Sequence, residues 1–234
     1  KYIGKYFIDY EEQDTFRALE KSINKKDFEL IINVFEIFRN RLEKLWAQDR
    51  ERLVTIEKSL LEIVISDRFQ APLNTIDKIF GKTKDFLVVK LFVLPKSFGH
   101  IGGSANTKIF NVTLELRDEN DCKSGILVVL HEYLHNLLKK KGISFRTRRI
   151  IKKDIKENID YFTYMTKEET IEELFISSFL PDGYLSYKFA KDIQIDKNIK
   201  ALPDSCVKII KELINTERCI TQKEVNAFVR CITE

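Results

Sequence analysis

A chain of 234 residues with 40 basic and 36 acidic side chains carries a formal charge of only +4, too balanced to mark a nucleic-acid binder. With 44% hydrophobic and 32% charged residues it has an ordinary globular composition, long enough for one large domain or two modest ones. No window approaches the roughly 18 apolar residues that a membrane span needs.

The first ten residues read as a short strand, Tyr2 to Tyr10, or an extended arm. A helical pattern runs from Glu11 to about Ile23. A stronger helix follows from Lys26 to Ala47, with Phe28, Ile31, Ile32, Phe35, Phe38, Leu42 and Leu45 at three- and four-residue spacing. A third, from about Arg50 to Ser66, carries Leu53, Ile56, Leu60, Leu61 and Val64. None of these holds a chemical constellation, and Trp46 is expected to pack. Residues 1–70 read as a helical N-terminal unit and 71–234 as the domain that carries the chemistry. Pro72 is expected to interrupt, leaving a short helix from Leu73 to Phe80 that stops at Gly81.

Phe86 to Leu94 is the best strand, stopped by Pro95. Gly99 to Asn106 reads as a flexible turn containing His100, and Lys108 to Arg117 as a second strand. A strand bordering a cleft offers backbone groups with which an extended peptide can pair. The next run, Ser124 to Lys140, reads as one helix that ends in three lysines and Gly142. It contains His131-Glu132-Tyr133-Leu134-His135, two of the chain's three histidines.

Four residues apart on a helix, His131 and His135 share one face and can hold a single metal ion. Glu132 lies one position round, where its carboxylate reaches a metal-bound water instead of the metal. The surrounding helix is unusually apolar, so burying these groups is costly unless something pairs with them. That pattern is the arrangement of a zinc metallopeptidase, with Zn2+ as its cofactor and a peptide or protein as its substrate.

A catalytic zinc needs a third protein ligand and an open position. The source is expected in the helix from Thr166 to Leu180, which opens with a Thr166/Glu169 capping-box signature and carries glutamates at 168, 169, 172 and 173. Glu169, Glu173, Ile176 and Leu180 fall on one stripe, an odd placement for a surface helix. The motif helix followed by this acidic helix resembles the gluzincin metallopeptidases, thermolysin-like and M1-aminopeptidase-like. The segment Glu169-Thr-Ile-Glu-Glu173-Leu-Phe175 is similar to their Glu-x-x-x-Asp pattern. The resemblance implies an α+β, mainly helical fold, a zincin-like core with a small sheet preceding the HExxH helix. It implies Glu132 as general base, Glu169 as third ligand and Glu173 as the carboxylate that orients a ligating imidazole. The residues alone leave Glu172 or Glu173 open as the ligand. The spacing from His135 to Glu169 is longer than the large families use, and Glu173 stands where they have Asp.

Tyr184 and Tyr187, after the acidic helix, are candidates to donate a hydrogen bond to a developing oxyanion. Residues 188–203 look irregular, and Cys206 to Asn215 and Thr221 to Cys231 read as final helices. Cys122, Cys206, Cys219 and Cys231 lack metal or redox spacing and suit free thiols in a reducing, cytoplasmic setting, with a Cys206–Cys219 or Cys219–Cys231 bridge left open. Two rival readings keep less of this chemistry. One is a zinc-binding pseudo-peptidase whose metal only staples two helices, and the other a metal-free helical interaction module.

Overall fold

A computed structural model of the chain describes residues 12–82, 88–94, 99, 102–106, 111–158, 165–185, 188 and 195–234. The expectations for Tyr2 to Tyr10, His100 and Tyr187, and for the side chain of Trp46, lie outside the described residues. The fold is mainly helical, with a three-stranded sheet placed in the chain just before the helix that carries the histidines. No helix among the described residues is long and apolar enough to cross a membrane.

Helix α1 spans Glu12–Glu20, and α2 runs unbroken from Lys25–Val64. The sequence suggests two helices here. Nothing between Ala47 and Arg50 is glycine or proline, so the backbone has no reason to stop, and 40 residues extend about 60 Å. Asn24 caps the start by accepting the Asp27 N–H at 3.0 Å. Helix α3, Asp67–Phe80, contains Pro72 instead of beginning after it. The bond that Pro72 forfeits is to the Arg68 carbonyl in the first turn, and burial of Phe69, Pro72, Ile76, Ile79 and Phe80 offsets that loss.

Strands β1 (Val88–Val93), β2 (Gly102–Asn106) and β3 (Asn111–Leu116) form a sheet in the order β1-β3-β2. β1 runs parallel to β3, and β2 antiparallel to it with Gly102 opposite Glu115 and Asn106 opposite Asn111. The stretch expected to be a flexible turn is therefore mostly an edge strand. Glycine has little strand preference of its own, but the bare backbone lets β2 lie close to its neighbours. A Cβ on Gly103 would sit 2.4 Å from Val128 Cγ1 and 2.9 Å from the Thr113 carbonyl oxygen.

Between β3 and the next helix, Asp121 clamps the turn. Its carboxylate accepts the Arg117 backbone N–H at 2.9 Å and the guanidinium at 2.8 Å and 2.6 Å. Helix α4 then spans Cys122–Lys140 and lays Gly125 on the sheet, where a Cβ would meet Leu116 Cδ2 at 2.6 Å.

Helices α5 (Lys153–Asn158), α6 (Lys167–Ser177), α7 (Lys197–Lys200), α8 (Asp204–Thr216) and α9 (Gln222–Thr233) complete the described fold. Short α7, capped by Asp196, interrupts a stretch that reads as irregular in the sequence. The core is aromatic at its centre. Phe175 meets Phe179 and Phe228 at 5.1 Å and 5.0 Å between ring centroids, and Phe80 meets Phe179 at 5.0 Å. Leu134, Leu137 and Leu138 of α4 and Ile171, Leu174 and Phe175 of α6 belong to the same core, which fixes how α6 faces α4.

Candidate metal centre

Helix α4 presents two unlike faces. Ile126, Val129, Leu130 and Tyr133 face away from the imidazoles and line an apolar cavity of about 1060 Å3 under α2, α3 and the sheet. His131 and His135 occupy the other face, half-buried, with their Nε2 atoms 3.1 Å apart. The cavity and the histidines are thus separated by the helix itself.

Across from the imidazoles stands α6. Glu173, only 16% exposed, sets one carboxylate oxygen 2.9 Å from His131 Nε2 and the other 2.9 Å from His135 Nε2. Glu172 reaches the far side of the same ring, its Oε1 2.7 Å from His135 Nδ1. His135, His131 and Glu173 each offer one ligand atom, and the three atoms lie within 4.8 Å of one another.

Glu169 is elsewhere. It folds back over the start of α6, accepting the Thr166 N–H at 2.7 Å and the Thr166 hydroxyl at 2.9 Å, and forms a complete capping box. The glutamate beside the imidazoles is Glu173, so the third-ligand expectation for Glu169 and the orienting role expected for Glu173 are both displaced. The carboxylate at His135 Nδ1 is that of Glu172. Tyr184 is also drawn off: its buried hydroxyl donates to the Ile199 carbonyl at 2.7 Å, and burial pushes the phenol up to about 12.

The electrostatics follow from packing cationic and anionic groups together out of water. Burial alone would make His135 less basic, but its hydrogen bonds to Glu172 and Glu173 prevail and raise it to about 9. Burial likewise opposes ionisation of Glu173, and the two imidazoles overcome it, drawing the carboxyl down to about 2. Glu132 has no such bond. Burial raises its carboxyl, Glu173 adds to that, and the two histidines only partly counter it.

Two residues of this region carry no sequence flag. Asp182, in the turn after α6, is raised by burial and feels the His131 ring electrostatically. Gly103 brings β2 against α4 so closely that a Cβ there would lie 3.6 Å from Glu132 Cγ. The only sequence signals were the turn Pro181-Asp182-Gly183 and the Gly102-Gly103 pair, neither specific to a site.

Two imidazole nitrogens and one carboxylate oxygen form a donor set that suits a borderline divalent cation such as Zn2+; hard Ca2+ or Mg2+ prefers oxygen alone. With a proton kept on His135 Nδ1 by Glu172, the Nε2 would be left to face the cluster as a ligand once an ion displaced its own proton. The residues fit the metal. Compared with family models, with curated proteins and with solved structures, the chain finds no match.

Proposed function

We propose that this protein is a zinc-dependent peptidase that hydrolyses peptide bonds with Glu132 as general base. The observation that carries the reading is the juxtaposition of a His131–His135–Glu173 donor set with Glu132, which belongs to the same helix turn but lies outside the set. When bound, the cation would supply Lewis acidity toward a substrate carbonyl and a more acidic water.

The remaining roles fall to the chain. His131, His135 and Glu173 would hold the ion, and Glu172 would fix the His135 ring by accepting its Nδ1 proton. Glu132 would accept the proton of the attacking water and return it to the leaving amine, a task suited to a carboxyl raised by burial. No covalent intermediate is required. Among the described residues β2 is the edge strand on the Glu132 side of α4, and its outer backbone groups would pair with an extended peptide and align it across that face.

The test combines metal content with turnover. Wild-type protein supplied with zinc is expected to bind one ion per chain and to cleave members of a fluorogenic peptide library. Glu132→Gln is expected to keep the ion and lose cleavage. Zinc held by a wild type that cleaves nothing would convert the centre into a structural staple, and folded wild type that takes up no zinc would leave a packing module.

A further inference from the structure

At the C-terminal end of α4, beyond the histidines, an amine and a thiol meet. Lys141, the residue that caps α4, extends its side chain over Gly81 and places Nζ 2.8 Å from Cys219 Sγ. Sulfur is larger than oxygen, and N–H···O bonds already run about 2.7–3.2 Å, so this nitrogen lies closer to the sulfur than an ordinary N–H···S bond would bring it. One oxygen atom spans such a gap. The approach is built into the fold. Gly81, at φ 81°, has no side chain, and a Cβ there would lie 3.2 Å from both Cε and Nζ of Lys141. The Cys219 loop is pinned to the same place, because Ile220 N–H donates to the Ile79 carbonyl at 2.7 Å. Lys141 and Cys219 are both exposed, so an oxidant reaches them, and Cys219 is a free thiol.

We infer that Lys141 and Cys219 form a covalent, reversible N–O–S bridge on oxidation. With hydrogen peroxide as oxidant the chemistry balances. One peroxide oxidises the thiol to a sulfenic acid and a second oxidises the amine to a hydroxylamine, each losing its O–O bond and releasing water. The hydroxylamine oxygen then attacks the sulfenic sulfur, an S–O bond forms, and the sulfenic hydroxyl leaves as a third water. Two equivalents of a dithiol reverse the change, returning amine, thiol and one water. The bridge would join positions 78 residues apart and fasten the C-terminus of α4 to the loop before α9.

The test starts from reduced protein treated with a small excess of hydrogen peroxide. The expected product has gained one oxygen and lost two hydrogens by intact mass, and it reverts with dithiothreitol. Fragment spectra should join the peptides containing Lys141 and Cys219, and Tm should rise by about 5–10 °C. Cys219→Ser and Lys141→Gln should each abolish the product while shifting the Tm of the reduced protein by no more than about 2 °C. Loss of two hydrogens without oxygen, which marks a disulfide or a sulfenamide, would overturn the inference. So would oxygens accumulating on Cys219 with no link to Lys141, or an unchanged mass.

Discussion

Glu172 and Glu173 are neighbours on α6, yet they hold the His135 ring from opposite sides, Glu172 at Nδ1 and Glu173 at Nε2. Consecutive helical residues point about 100° apart, and the imidazole lies in the angle between them. Under the proposed function the two adjacent carboxylates would have different tasks, which makes their substitutions separable.

Glu173→Gln is expected to remove metal binding at micromolar zinc, because an amide cannot supply the anionic ligand. Glu172→Gln should weaken affinity by about 10–100-fold, since the ring keeps its nitrogen but loses the carboxylate that orients it. Glu169→Gln should leave affinity unchanged and lower the urea midpoint only slightly, because glutamine at this position can still close the cap. Competition with a zinc chelator, alongside urea unfolding, reads all three.

For Glu132→Gln, zinc affinity is expected to stay within about threefold of wild type while peptide turnover falls by about 10²–10⁴. A parallel loss of metal would show that Glu132 is a ligand, contrary to its place outside the His131–His135–Glu173 set.

Tyr184→Phe tests a role that the sequence suggested. Its hydroxyl is bonded to the Ile199 carbonyl, so the expected change is a loss of about 1 kcal/mol in stability with kcat unaltered. A drop in kcat at constant stability would restore the phenol to the chemistry.

At Gly103 even alanine is too large. Its Cβ would overlap Val128 Cγ1 and the Thr113 backbone, and a flexible side-chain tip is not the only atom that must yield. Gly103→Ala should cost about 1–3 kcal/mol in chemical unfolding, and turnover should fall as β2 is displaced from Glu132.

Acid sensitivity is expected at the Arg117–Asp121 clamp. The hydrogen bonds and charge of Arg117 lower the Asp121 carboxyl from 3.8 to about 2, against the opposing effect of burial. A depressed folded-state value means the stabilisation is present above 3.8 and disappears as pH falls through about 2. Asp121 is 11% exposed as a side chain, so after allowance for screening roughly 1–2 kcal/mol should be lost across that window. In Asp121→Asn the loss between pH 4 and pH 2 should be smaller by about that amount, as measured by urea unfolding at each pH.

What the sequence determined by itself is local. The four-residue spacing of His131 and His135, with Glu132 one step round, follows from the pitch of a single helix, and the apolar residues around it guaranteed that the helix would form and be buried. The capping box at Thr166 was equally legible, because its partners lie three residues apart, and it already named a competing use for Glu169. The small sheet ahead of the motif helix showed in the alternation of β3 and the largely apolar run of β1. Choosing among four glutamates on α6 was another matter. Which of them meets the imidazoles depends on the rotation of α6 about its own axis, and that is set by Ile171, Leu174 and Phe175 settling into a core shared with α3, α4 and α9. Tyr184 was claimed by a carbonyl fifteen residues away, and Gly102–Asn106 became a strand only by pairing with β3. A helix carries its own periodicity in its sequence, whereas a contact between two helices, or between an edge strand and its neighbour, exists only once the core has packed.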